Sequence, residues 1–396
     1  MISGASVAGP VLAYWLARYG FTPTVVERAL TLRKTGGHAV DLFRPAMEIV
    51  EQMGVLEQVL DHKTGTERLT WRREGVRRPV SAEMSQLMTA ASDRHVEIMR
   101  DDLSEIFYDA SRGGVEYVFG DSITALSESG EVCFEHSRPR RFDLVIGADG
   151  LHSNVRRLVF GAEESFSTFI GAYLAVLSVP NYLHLDGDMI VDSEPGRMVG
   201  IYSARHMSDA RAVFLFRSPK LDYAHKDIPR QKQLLRQAFA GMGWQVPHLL
   251  GQLDHTPAFY FDSITQIQMD TWSRGRVSLV GDAGYCPGPA VGGGTSLAVV
   301  GAYVLAGELA AAGGDHERAF RAYEHEIGDY ARRSRAFARG MAKRLIPNSR
   351  AELWAMANAV RLVAHIPPAI IRAAAKLNRK GVRLHDTMIL KDYLQH

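Results

Sequence analysis

The 396-residue chain has only two cysteines, Cys133 and Cys286, far apart in sequence. Two such residues exclude a disulfide framework and a zinc knuckle, and they suit a reducing cytoplasm. HExxH and CxxC are both missing, so no metal centre is expected. An excess of one charge is missing too: 46 Lys+Arg stand against 44 Asp+Glu, which leaves no global field to attract a nucleic acid. No tract of 18 apolar residues occurs, so no membrane span is expected. No basic region precedes the first apolar run, and that run contains Gly4, Gly9 and Pro10, which excludes a signal peptide. Internal repeats and low-complexity linkers are absent. What remains is a globular chain long enough for two or three domains and a large core.

Residues 2–28 read as strand, glycine-rich turn, helix, strand. Met1-Ile2-Ser3 is very short for a first strand. Ala8 to Tyr19 carries a helical apolar pattern ended by Gly20, and Thr24-Val25-Val26 has the composition of a buried parallel strand. Residues 45–60 read as helical, 67–80 as a hairpin, and Asp101 to Ser111 as a helix with an acidic first turn. Strands are expected around 115–119, 122–127, 131–136 and 140–146. Between about 165 and 270 the texture becomes β-rich and apolar, with one helix over 228–243. A Rossmann-like strand and loop return at 275–282. A charged amphipathic helix follows over 316–345, then a basic helical tail broken at Pro367-Pro368. The fold class is therefore α/β. A Rossmann-like domain over 1–165 and 271–345 would be interrupted by a β-sheet domain over 166–270. The hairpin 66–92 would contribute to the second domain's side, and 346–396 would form a C-terminal helical segment.

Three motifs carry chemistry. Gly4-Ala5-Ser6-Val7-Ala8-Gly9 follows a strand and opens a helix. A dinucleotide site needs such a tight turn, close backbone approach and a helix N-terminus aimed at the pyrophosphate. Ser6 replaces the middle glycine, and alone the motif reads equally as a turn with small residues. Glu27, 18 residues beyond Gly9 at the end of the second strand, supplies a carboxylate for ribose hydroxyls. The second motif is Gly147-Ala148-Asp149-Gly150 at a strand's C-terminal end, followed by Ser153 and Arg156, where α/β folds place ligands. The third is GDAGYCPGPAVGGG: Asp282 ends an apolar strand, Pro287 and Pro289 stiffen a loop, and Gly292-Gly293-Gly294 present backbone N–H groups at a helix N-terminus. By itself this loop reads also as a glycine-rich αβ connection.

In order and spacing these motifs resemble the class A flavin-dependent aromatic monooxygenases, the para-hydroxybenzoate hydroxylase family, across residues 1–345. The stretch from Phe259 to Leu309 looks particularly like the tetracycline-inactivating branch. The resemblance implies a glutathione-reductase-type FAD domain and places FAD at Gly4, Ser6, Ala8 and Gly9 around the pyrophosphate. Glu27 would bind the adenosine ribose with Arg28 beside it. Arg100, Asp149 and Asp282 would contact FAD, Asp41 would sit beside the flavin ring after Gly36-Gly37-His38, and Pro289, Gly293 and Gly294 would face its pyrimidine edge. Arg33 matches a position implicated in NADPH contact. The activity implied is hydroxylation of an electron-rich aromatic or polyketide-like small molecule by NADPH or NADH and O2, through a flavin C4a-hydroperoxide. The flavin would carry the hard step, which accounts for the lack of a catalytic triad or obvious general base. Many family members have histidine at the position of Tyr285 and aspartate where Gly301-Ala302-Tyr303 runs; the tetracycline-like branch shares the tyrosine.

Some residues have plainer readings. Cys286 is a small space-filler before it is a redox thiol. His38 is a hydrogen-bonded structural histidine before it is a proton relay. The basic tail (Arg361, Arg372, Lys376, Arg379, Lys380, Arg383) is the solvated face of a docked helix before it is a membrane contact. Two other functions stay open. A flavin halogenase or reductase shares the fold, although no two of the tryptophans at 15, 71, 244, 272 and 354 stand two apart, as a WxWxIP motif requires. A non-catalytic flavin-binding protein is the other. A monomer or homodimer fits either.

Overall fold

The computed structural model describes residues 1–32, 37–73, 79–86, 92, 94–127, 129–289, 293–366 and 388–393. Arg33, Gly36, Gly292 and the tail positions from Arg372 to Arg383 lie outside the described residues.

The first strand, Ile2–Ser3, has two residues, yet it is central. It pairs in parallel with Val145–Gly147 on one side and Thr24–Glu27 on the other, with Ile2 opposite both Ile146 and Val25. These positions are buried, so a short strand still threads the core. The six-stranded sheet runs Ser273–Arg274, Val277–Leu279, Val145–Gly147, Ile2–Ser3, Thr24–Glu27, Glu116–Phe119, parallel except at its first edge. The helix Ala8–Arg18 packs on Gly294–Ala311 and on Arg100–Ser111. Gly294–Ala311 is buried from Ser296 to Leu309. It is long and apolar enough to cross a membrane. Its packing between Ala8–Arg18 and His316–Leu345 makes it a core helix, apolar all round because it is covered all round.

The second large sheet has seven strands in the order Phe259–Ile267, Ser167–Pro180, Asp209–Arg217, Arg197–Tyr202, Asp188–Glu194, Arg68–Arg73, Val80–Glu83. All neighbours are antiparallel except Asp188–Glu194 with Arg68–Arg73. The run Ala172-Tyr173-Leu174-Ala175-Val176-Leu177 lacks polar alternation because both faces are covered. Tyr173, Ala175 and Leu177 pack with Phe214 and Phe261 against Leu234, Leu235 and Leu249 of the overlying helices. Ala172, Leu174 and Val176 pack with Ile264 against Ala338 of the helix His316–Leu345.

Several elements differ from expectation. The stretch 45–60 is two helices, Arg44–Gln52 and Leu56–Asp61, parted at Gly54, whose φ of +76° a side chain would resist. The strand expected over 140–146 is split: exposed Arg140–Arg141 joins a three-stranded antiparallel sheet, and buried Val145–Gly147 joins the parallel one. Asp282 does not end a strand. The strand stops at Leu279, Gly281 turns the chain with φ +67°, and Asp282 opens a short helix to Tyr285. A second helix, Val246–Gly251, follows the one over Ile228–Ala238; its Pro247, tolerated in a first turn, hid it from the sequence pattern. Near the C-terminus, Arg350–His365 lays Leu353 and Ala357 on Trp71, Val80 and Val191. The segment 388–393 returns to Gly294–Ala311, where the Tyr393 hydroxyl donates to Glu308 at 2.7 Å. The ring lies where Gly307 has no side chain: a Cβ there would be 2.3 Å from it.

Candidate functional site

The C-terminal ends of the parallel strands bring the three motifs together. Gly4 takes φ +106° with the space beside it filled, since a Cβ would come within 2.5 Å of the Ala148 carbonyl. Gly9 is tighter: a Cβ would meet the Gly4 carbonyl at 1.9 Å. Both glycines are therefore required by the turn's own geometry. Glu27 closes the turn from the next strand. Its two carboxylate oxygens accept from the Ala5 and Ala29 N–H groups at 2.9 Å each. Each oxygen keeps a lone pair for a further donor.

Ser6, the departure from the glycine pattern, has partners. Its hydroxyl accepts from the Arg100 guanidinium at 3.0 Å and lies 3.5 Å from that of Ser104. Arg100 is the first residue of the helix Arg100–Ser111. Its charge also reaches Asp282 and His38. Asp282 is half-buried, and burial raises its pKa above the ordinary carboxylate range against the pull of Arg100 and the Cys286 thiol. Burial holds Cys286 itself neutral, its pKa well above normal, with its sulfur accepting from the Gly288 N–H at 3.4 Å. That is the environment of a small packing residue rather than a reactive thiolate.

Asp149 holds the second motif's turn. Its carboxylate accepts from the Ser153 hydroxyl at 2.5 Å and from the Asn154 and Val155 N–H groups at 2.8 and 3.0 Å, at the start of the helix Asn154–Val159. Arg156 is fully buried. It donates to the Ala283 carbonyl at 2.8 Å, tying this motif to the third one.

Asp41 lies on Ala39–Phe43, which pairs antiparallel with His95–Met99. Its side chain is 2.7 Å from His95 Nε2. Ser296, in the first turn of Gly294–Ala311, donates to the Asp41 carbonyl at 3.0 Å and accepts from the Phe43 N–H at 2.9 Å. Asp41 is thereby stitched to the end of the third motif, where Gly293 caps the helix with φ +82°. A Cβ at Gly294 would meet Pro287 at 3.6 Å and the Asp282 carboxylate at 3.8 Å. Pro289 is half-buried in the same loop, and Arg28 is exposed. The segment 37–39 is held from the seven-stranded sheet: Arg211 donates to the Gly37 carbonyl at 3.2 Å, and Ala39 N–H donates to the Tyr202 hydroxyl at 2.7 Å. Burial, with the nearby Arg100 charge, lowers His38 to about 4. It is neutral at pH 7.

Sequence reading missed several groups here. Glu97 stands opposite Asp41 across the strand pair, bonded by Thr64 and Thr66, its pKa raised first by burial and then by the Asp41 charge. His152 was passed over although it follows the Gly-Ala-Asp-Gly motif by two residues. Its Nδ1 is 2.9 Å from Glu163 and its Nε2 2.9 Å from Asp262. Burial would lower His152, but the two carboxylates raise it to about 9. Only the motif beside His152 could have pointed to any of these groups; their bonds leave no sequence signal, because the partners are up to 110 residues away.

The cradle formed by the Gly4–Gly9 turn, Glu27, Arg100 and Asp282 fits FAD. It offers a helix N-terminus with an adjacent cation for a pyrophosphate. It also offers a desolvated carboxylate which, among the described residues, has no stronger donor than a thiol, and which a polyol would satisfy. The FAD binding domain family model matches residues 1–338. An uncharacterized protein of Mycobacterium tuberculosis is 45% identical over 338 residues, 84% of this chain and 91% of the relative. A flavin-dependent monooxygenase of Legionella longbeachae is 39% identical over 326 residues, 82% and 83% of the two chains. Among solved structures, tetracycline destructase Tet(51) superposes with a TM-score of 0.82 at 32% identity, covering 99% of this chain and 98% of its own. Tet(55) does so with 0.80 at 34%, covering 97% of each. A Klebsiella pneumoniae HpxO complexed with FAD and uric acid shares the fold, with a TM-score of 0.72 at 21% identity over 96% of this chain and 97% of its own. The chain belongs to the FAD-binding-domain family, among the class A flavin-dependent monooxygenases.

Proposed function

We propose that this protein is an FAD-dependent monooxygenase that hydroxylates an electron-rich aromatic or polyketide-like small molecule, using NADPH or NADH and O2. The observation that carries the reading is Arg100. It donates to Ser6 in the first motif while its charge acts on Asp282 in the third, so residues 276 positions apart in sequence face one groove. In this reading the N–H groups of the Gly4–Gly9 turn and Arg100 hold the pyrophosphate, with Ala8 and Gly9 starting the helix behind it. Glu27 takes the ribose hydroxyls through its free lone pairs, and Arg28 lies beside the adenosine. Asp282 takes the ribityl chain, Asp149 shapes the turn against Gly4, and Asp41, Pro289, Gly293 and Gly294 surround the ring. Bound FAD, once reduced by the nicotinamide, supplies the oxygen-activating chemistry. The chain's task is to position it and exclude water. Neutral His38 adds no charge to the ring's surroundings. The substrate would lie between the ring and the seven-stranded sheet, whose Tyr202 and Arg211 reach the segment 37–39. Both cysteines are free, which fits a reducing cytoplasm.

The test is a visible spectrum of the purified protein, then NADPH oxidation in air against phenols and polyketides. The name of the two solved relatives makes a tetracycline the first compound to try. A flavin spectrum, oxidation stimulated by one compound, and a gain of one oxygen by that compound are expected. A flavin spectrum with no NADPH oxidation under any compound would instead identify a non-catalytic flavoprotein.

A further inference from the structure

We propose that His152, His225 and Asp262 form a binding site for one divalent metal ion, zinc by preference, at the seam between the two large sheets. One ligand atom from each of the three lies within 4.8 Å of the other two. Two imidazoles with one carboxylate suit zinc, cobalt and nickel better than magnesium or calcium, which prefer all-oxygen sites. The donors come from three places: His152 after the Gly-Ala-Asp-Gly motif, His225 in the turn before the helix Ile228–Ala238, and Asp262 in the strand Phe259–Ile267. Asp262 is 3% exposed and is oriented from behind, its Oδ1 accepting from the Ser263 N–H at 2.8 Å. Its Oδ2 faces His152 Nε2 at 2.9 Å. The imidazole rings of His152 and His225 are 4.2 Å apart between centroids.

Outer groups already stand where a metal site needs them. Glu163 holds the far nitrogen of His152 at 2.9 Å and is itself gripped by buried Arg156 at 2.6 Å. Carboxylates in that position fix the tautomer and orientation of ligating histidines. The charges opposing a cation near His225 are protonated His152 and then Arg28, so an ion must displace the His152 proton that Asp262 and Glu163 hold. His152 and His225 are exposed, which gives an ion a path in, and three protein donors leave a fourth position for water. An ion here would pin the turn carrying His225 to the FAD-binding part of the chain. The hydroxylation proposed above does not call on the ion, yet the site borders its substrate region: the Tyr260 hydroxyl donates to Asp262 Oδ2 at 3.5 Å, and the Tyr260 ring lies 6.0 Å from that of His38.

The experiment uses untagged, FAD-loaded protein, stripped with a chelator and titrated with zinc chloride by calorimetry, with zinc counted after gel filtration. One retained zinc per chain is expected in the parent. His225→Ala changes an exposed turn, so it should keep its flavin spectrum while losing at least about tenfold in zinc affinity. Asp262→Asn should lose as much. Failure of the parent to retain zinc overturns the proposal. So does retention by a flavin-replete His225→Ala protein with unchanged affinity, because the ion would then sit elsewhere.

Discussion

Glu27 and Asp282 illustrate two kinds of carboxylate. Glu27 accepts one hydrogen bond per oxygen from its own turn and keeps spare lone pairs for a ligand. Asp282 is half-buried, its pKa raised by burial against the pull of Arg100 and the Cys286 thiol. Glu27→Ala and Asp282→Ala are each expected to yield mostly apoprotein, read from the flavin absorbance of the purified variants. Full occupancy in both would remove them from the cofactor site. Both residues were legible in the sequence because a strand end and a glycine turn flank them. Glu97, Tyr202 and Arg211 were not, since only folding brings them to the segment 37–39. His38 gives the clearest pH prediction. Burial and Arg100 lower it to about 4, whereas an unfolded histidine titrates near 6.5. As pH falls below about 6.5 the unfolded chain binds a proton that the folded chain refuses until about 4, so stability declines across that window. His38→Gln should remove roughly 1–3 kcal/mol of that decline. Denaturant midpoints at pH 7 and 4.5 measure it, and an identical slope in parent and variant would refute the assignment.

At the scale of elements, the helix Gly294–Ala311 depends on two glycines for different neighbours. At Gly301 a Cβ would be 2.0 Å from the Tyr285 hydroxyl. That hydroxyl shares a 2.8 Å hydrogen bond with the hydroxyl of Tyr323, which is 3.0 Å from the Leu279 carbonyl. Helix propensity alone would favour alanine at 301 by about 1 kcal/mol. The overlap reverses that sign, and Gly301→Ala is expected to destabilise by about 1–3 kcal/mol. Tyr285→Phe in the same chain should recover part of the loss, since it deletes the clashing atom. Gly307→Ala should act on the tail instead. It would displace Tyr393 and expose the segment 388–393 to limited proteolysis, with little change in the flavin spectrum. Helix positions were legible where apolar period and stop signals agreed, as over His316–Leu345. They were misread where a glycine break, Gly54, lay inside a continuous pattern, and where Pro247 masked a short helix.

The whole molecule is bound together by the helix His316–Leu345. Its Ala319, Phe320, Tyr323 and Ile327 belong to the core around the parallel sheet, and its Ala338 belongs to the core under the seven-stranded sheet. One continuous element shared by two cores predicts a single cooperative transition in calorimetry of the flavin-loaded protein. Two resolved peaks would show that the helix does not couple them. The α/β class was legible from the βαβ opening and the β-rich middle. The parallel join between Asp188–Glu194 and Arg68–Arg73 was not, because strand partners so far apart leave no local trace.

The fit of Tyr285 against Gly301 also restricts the paths by which such a chain can change. A side chain at 301 and a full tyrosine at 285 cannot share the space, so either state alone is viable and the mixed state is penalised. A smaller ring at 285 tolerates a side chain at 301, whereas this tyrosine favours glycine there, so the route to the pair through glycine first is the less costly by about 1–3 kcal/mol. Two residues 16 apart in sequence are thus coupled, and the cost of changing one depends on the other.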